Sequence, residues 1–212
     1  MNRWVMLWVG IIVSGSLALA TEGGLYRGID DERVLELIRL VPGKPSRWNV
    51  PPEDGRFLYD LVAAKGYRRG LEIGTSNGYS ALWLGLAFRA NGGKLVTLEV
   101  DQERGMEARQ NFRKAGLENV VELRINDAFQ EIPKLVGDFD FVFIDAWKRD
   151  YKKFLDLVLP RVSKGGAITA HNVISLGGDM KDFLEAIESD PRLETKIHQT
   201  SSEGISVSFI RR

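Results

Sequence analysis

The sequence predicts an α/β fold: a doubly wound sheet of seven strands, mostly parallel with an antiparallel C-terminal strand, and helices on both faces. Three observations carry this. From Arg69 onward, short apolar runs alternate with stretches of helical periodicity in five successive strand–helix units, the order that builds a parallel sheet. Phe139 to Ile144 (FDFVFI) is almost continuously apolar, as expected of a strand covered on both faces. The last two runs are separated only by Thr200 to Gly204, too short for a parallel crossover, so that pair is antiparallel.

Composition suits one such domain. The chain has 212 residues, 44% hydrophobic and 27% charged, the balance of a globular protein. Twenty-nine basic residues cancel 29 acidic ones, which leaves no electrostatic footprint for nucleic acid. The absence of cysteine removes disulfides, thiolate metal sites and cysteine nucleophiles.

The elements follow in order. Residues 1–20 (MNRWVMLWVGIIVSGSLALA) join a basic start at Arg3 to an apolar stretch and a small-x-small end, Ala18-Leu19-Ala20. This is the pattern of a signal peptide, which would place the mature chain in a secreted or periplasmic location. The alternative is an uncleaved membrane anchor, since Trp4 to Ala20 carries no charge. Residues 21–52 read as an N-terminal helix and loop, and 53–212 as the main domain. Within these, Asp30 to Leu40 is an amphipathic helix with acids at its start, where the helix dipole favours them. Pro42 to Pro52 is a Pro- and Gly-rich loop, and Glu53 to Lys65 a second helix. Strands are expected at Arg69–Ile73, Lys94–Glu99, Val121–Ile125, Phe139–Ile144, Ala167–Ala170, Glu194–Gln199 and Ile205–Arg211. Helices are expected between them at Gly78–Ala90, Gln102–Ala115, Phe129–Val136, Tyr151–Val162 and Asp179–Ser189.

In an open parallel sheet, ligands bind beyond the carboxyl ends of the strands. Here those ends deliver Gly74-Thr75-Ser76-Asn77-Gly78, then Glu99 and Asp101, Asn126-Asp127, Asp145-Ala146-Trp147-Lys148, and His171-Asn172. Five polar ends in register make a stronger signal than any one of them. The glycine loop would let a ligand approach the backbone and the start of a helix. Ser76 breaks the dinucleotide fingerprint G-x-G-x-x-G. Glu99, at the end of the second strand, can accept hydrogen bonds from both ribose hydroxyls of a nucleoside.

Two other functions fit part of this pattern. Gly74-x-Ser76-x-Gly78 matches a hydrolase nucleophile elbow, and Ser76, Asp145 and His171 follow the Ser…Asp…His order. That reading leaves Glu99 and Lys148 without roles. A non-catalytic nucleoside or small-molecule binder is the second, because a fold does not by itself imply a function.

LEIGTSNGYSALWLGLA, VTLEVD and FDFVFIDAWKRDY resemble the class I S-adenosylmethionine-dependent O-methyltransferases of the catechol O-methyltransferase type. The resemblance runs from about Pro51 to the C-terminus. It implies a Rossmann-like sheet and methyl transfer from S-adenosylmethionine to a small hydroxylated, catechol-like acceptor. It places Glu72, Gly74, Ser76 and Gly78 against the methionine part of the methyl donor, with Ser80 near its carboxylate. It gives Glu99 the ribose, puts Asp127, Ala128 and Phe129 beside the adenine, and sets Trp147 at the adenine and acceptor border. Lys148 becomes the base that takes the hydroxyl proton, with Asp145 in the catalytic site. Asp145 and Asn172 match metal ligands, with His171 where the family usually carries Asp. Imidazole in place of a carboxylate favours manganese, iron, cobalt or zinc over magnesium, or abolishes metal binding and leaves His171 a hydrogen-bonding residue of the rim.

Overall fold

A computed structural model describes residues 24–41 and 48–211 of the chain. The expected leader, residues 1–20, and most of the 42–52 loop lie outside the described residues. Helix α1 (Glu32–Leu40) begins at Asp31, whose carboxylate accepts from the backbone N–H groups of Arg33 and Val34. Helix α2 (Pro52–Lys65) starts on a proline, which is pre-set for the first helical turn, and carries Glu53 and Asp54 in that turn.

The strand–helix alternation then runs as the sequence predicts: β1 (Arg69–Ile73), α3 (Tyr79–Ala90), β2 (Lys94–Glu99), α4 (Gln102–Ala115), β3 (Val121–Ile125) and α5 (Ala128–Glu131). It continues with β4 (Phe139–Ile144), α6 (Tyr151–Val158), β5 (Val162–His171), α7 (Lys181–Ser189), β6 (Leu193–His198) and β7 (Ile205–Ile210). The seven-stranded sheet has the order β3-β2-β1-β4-β5-β7-β6. Strands β1 to β5 pair in parallel, and β7 lies antiparallel between β5 and β6. Among the described residues, no helix is long and apolar enough to cross a membrane.

Three boundaries differ from the sequence reading by more than two residues, each for a local reason. Pro133 and Pro160 cannot donate to a helical ladder, so α5 and α6 both give way early to 3-10 turns, Ile132–Lys134 and Leu159–Arg161. Strand β5 extends back to Val162 because the β4 register shifts between Phe139 and Phe141, which lets Phe139 pair with Val162.

Apolar residues pack on both faces of the sheet. In β4, Phe141 and Phe143 join Trp83, Phe88 and Leu58 on one side. Val142 and Ile144 join Tyr151, Phe154 and Phe183 on the other. Phe141 is fully buried and meets the rings of Tyr67 and Phe88, each centroid 6.1 Å away. Phe141→Ala is expected to lower unfolding free energy by about 3–5 kcal/mol in a urea titration. A loss under about 1 kcal/mol would mean that the layer repacks around the hole and that β4 is not its centre.

Candidate active site

Strand order reverses between β1 and β4, so the chain leaves the sheet in opposite directions there and opens a crevice at the carboxyl edge. The Asp145 N–H donates to the carbonyl of Ile73 at 2.9 Å, which ties the two strand ends together. Gly74 follows with φ +98°, and a Cβ at that position would overlap the Asp145 carbonyl oxygen. Gly78, with φ +88°, caps α3 from a place where a Cβ would lie 2.6 Å from the Phe112 ring. The loop between them is therefore drawn close to both neighbouring elements. Asn111 of α4 holds it from outside, donating its amide to the carbonyl of Asn77 at 2.8 Å.

Two carboxylates shape this half of the site. Glu99 accepts from the Ser76 N–H at 2.6 Å on one oxygen and from the Asp101 N–H at 2.9 Å on the other. Each oxygen keeps a second lone pair for another donor. Glu72 is fully buried and accepts from the hydroxyls of Ser80 at 2.6 Å and Thr97 at 2.5 Å. Burial pushes the Glu72 carboxyl up to about 8, and the charges of Asp145 and Glu99 add to the rise against the two hydroxyl hydrogen bonds. Glu72 is thus largely protonated at neutral pH, in a wall whose carboxyls have no cationic side chain hydrogen-bonded to them.

The second half is a chain of ionisable groups. Lys148 Nζ donates to Asp145 Oδ1 at 2.8 Å and to the Tyr151 hydroxyl at 2.7 Å. Asp145 Oδ2 faces His171 Nδ1 at 3.4 Å, and His171 Nε2 lies 2.8 Å from Asp54 Oδ2. Asp54 also accepts from the hydroxyls of Thr200 and Ser201. Burial pulls the His171 ring down, but the charges and hydrogen bonds of Asp145 and Asp54 outweigh it and raise the ring to about 9. Burial likewise opposes ionisation of Asp145, yet His171 and Lys148 hold its carboxyl at about 2.

The remaining expected residues sit on the same edge. Asp127 caps α5, accepting from the Phe129 N–H at 2.8 Å, and Ala128 begins that helix. Phe129 stacks on Phe154 with centroids 4.5 Å apart. Trp147 projects from the end of β4 and is exposed.

Two expectations find no support in this geometry. Asp145, His171 and Asn172 do not form a metal-ligand set. Both His171 nitrogens face carboxylates, both Asp145 oxygens face cations, and the Asn172 amide donates to Glu203 at 2.7 Å. Among the described residues no group of three His, Asp or Glu side chains is placed to hold a metal ion. The hydrolase triad fails as well. The His171 nitrogens are committed to Asp54 and Asp145, and β1 before Ser76 is preceded only by helices among the described residues. Sequence reading missed Asp54, Thr97, Tyr151, Thr200, Ser201 and Glu203. Only Tyr151 left a signal, because Asp145, Lys148 and Tyr151 recur at intervals of three, which places them on one side of the turn entering α6.

Comparison with known proteins agrees with this architecture. A family model described as O-methyltransferase matches residues 29–205. A catechol O-methyltransferase of Niastella koreensis is 38% identical over 156 residues, covering 71% of this chain and 70% of that protein. A catechol O-methyltransferase of Mycobacterium tuberculosis is 38% identical over 138 residues, 65% of this chain and 62% of that protein. The crystal structure of an O-methyltransferase from Bacillus cereus in complex with SAH superposes with a TM-score of 0.79 at 28% identity, covering 92% of this chain and 97% of that one. The chain therefore belongs to the O-methyltransferase family, as an S-adenosylmethionine-dependent enzyme.

His171 gives the site a measurable pH signature. Its pKa rises on folding from 6.5 to about 9, so its stabilisation is complete below 6.5 and is lost as pH rises through about 9. The melting-temperature gap between wild type and His171→Asn should be wider at about pH 6 than at about pH 10. A gap that stays constant across that range would show that the ring is not held charged.

Proposed function

We propose that this enzyme transfers the sulfonium methyl group of S-adenosylmethionine to a hydroxyl of a small aromatic, catechol-like acceptor, with Lys148 taking the hydroxyl proton. The observation that carries the reading is the meeting, at one sheet edge, of a negative glycine-loop crevice and a lysine on the β4 end. The catechol O-methyltransferases of Niastella koreensis and Mycobacterium tuberculosis support the acceptor class.

A sulfonium donor with an ammonium group is positively charged near the reacting centre; the Glu99 carboxylate favours a cation there, and a cation beside Glu72 draws its buried carboxyl toward the charged form. The loop from Gly74 through Ser76 to Gly78 offers backbone close to the donor, with Ser80 and Glu72 on its methionine side. Glu99 takes the ribose with its remaining lone pairs. Asp127, Ala128, Phe129 and Trp147 border the adenine.

The acceptor oxygen attacks the methyl carbon in line, the carbon–sulfur bond breaks, and its electron pair stays on sulfur. Lys148, an ammonium in the resting site, first gives a proton to solvent; the hydroxyl proton then passes to its Nζ, and Asp145 and the Tyr151 hydroxyl hold the ammonium that re-forms. No step is routed through a metal, because the donor set does not fit one.

Lys148→Ala is expected to reduce turnover by about 100-fold or more while calorimetric affinity for the methyl donor stays at the wild-type value. Wild-type turnover in that variant removes Lys148 from proton transfer. Glu99→Ala should weaken donor binding by about 1.5–3 kcal/mol, through loss of the ribose acceptor and of the Ser76 anchor. An unchanged dissociation constant would take Glu99 out of the donor site.

A further inference from the structure

A carboxylate presents lone pairs, so a ring with a carboxylate at each nitrogen is matched by an N–H at both positions. His171 is such a ring, with Asp54 at Nε2 and Asp145 at Nδ1. Asp54 is fully buried, and a buried carboxylate needs a compensating cation. Hydroxyls of Thr200 and Ser201 complete its hydrogen bonding, and His171 supplies the charge. Asp54, His171, Asp145 and Lys148 thus alternate in sign and sum to zero. Side-chain exposure climbs along them from 0% to 4%, 13% and 16%, so the chain runs from the interior to the acceptor side.

We infer that the His171 ring, fixed by Asp54, is the resident cation of this site in place of a divalent metal ion, and that Asp54 is the positioning residue on which this substitution depends. A ring with both nitrogens protonated has no lone pair to give a metal. A divalent ion at Asp145 would have to displace His171 or Lys148 and would bring two charges into a set already balanced. The fixed positive charge behind Asp145 compensates the carboxylate beside the reacting oxygen, which is service a bound ion would otherwise provide. Asp54 reaches the ring across 117 positions of sequence, from the first turn of α2, and so couples the placement of that helix to the reacting edge.

The inference rests on the methyl-transfer reading only for its kinetic part. The chain has two histidines, so ring nitrogen-15 spectra of the whole protein resolve His171 once His198→Gln identifies the other. At neutral pH both His171 nitrogens should be protonated, and millimolar Mn2+ should leave their resonances sharp. An unprotonated ring nitrogen, or selective broadening of His171 by Mn2+, overturns the inference whether or not an acceptor is known. In the kinetic part, wild-type turnover should survive exhaustive chelation. Asp54→Asn should lower kcat by about 10-fold or more with the donor KM unchanged, and Asp54→Glu should recover part of the loss. Turnover that is lost on chelation and restored by Mn2+, or a wild-type kcat in a folded Asp54→Asn variant, also overturns it. If Asp54→Asn does not fold, the spectra and the chelation result on the wild type decide the matter. Absence of turnover on every catechol would count against the acceptor class and leave the spectroscopic outcome standing.

Discussion

The site depends on how closely β1 and β4 meet at their carboxyl ends. Gly74 sits against the carbonyl of Asp145 with no room for a Cβ, and the Asp145 N–H closes onto Ile73. That contact fixes the glycine loop and the β4 end relative to each other. The loop carries the groups assigned to the methyl donor, and the β4 end carries Asp145 and Lys148. An in-line displacement gains most of its help from alignment, so a backbone contact that sets the spacing of two substrates matters more than any single polar group beside them. The strand reversal makes the crevice, and Gly74 keeps its two walls at the spacing of bare backbone.

The two walls handle buried charge in opposite ways. Glu72 is served by hydroxyls alone and lies near two other acids, so its carboxyl is pushed up to about 8. Asp145 is also largely enclosed, and the burial that would raise it is overcome by His171 and Lys148, which hold it at about 2. The first wall is short of positive charge, and a cationic donor supplies it. The second wall contains its own cations and is balanced before any ligand arrives. This contrast follows from which side chains stand opposite the carboxylates, since burial alone would raise both.

Much of this was legible in the sequence, because the signals were local. Period and run length located the seven strands, and the polar residues at the strand ends marked the edge where ligands bind. Boundaries slipped at Pro133 and Pro160 and at the β4 register shift, where pairing partners distant in sequence decide how far an element extends. His171 was visible at the end of β5, but its chemistry was not, because that is set by Asp54. An acid in the first turn of a helix is ordinary for dipole reasons, and nothing near it in sequence points to a histidine 117 positions away. Read with Asp145 and Asn172 alone, His171 could be either a metal ligand or a hydrogen-bonding residue of the rim. With Asp54 included, the ring has no free nitrogen.

Crystals of the whole chain grown with S-adenosylhomocysteine and Mn2+, and measured for anomalous scattering at the manganese edge, test the division between the two walls most directly. The nucleoside is expected along the Gly74–Gly78 loop with its ribose on Glu99, and no anomalous peak beside Asp145. A manganese peak within bonding distance of Asp145 and His171 would contradict the self-balanced wall, and a nucleoside bound away from Glu99 would contradict the donor wall.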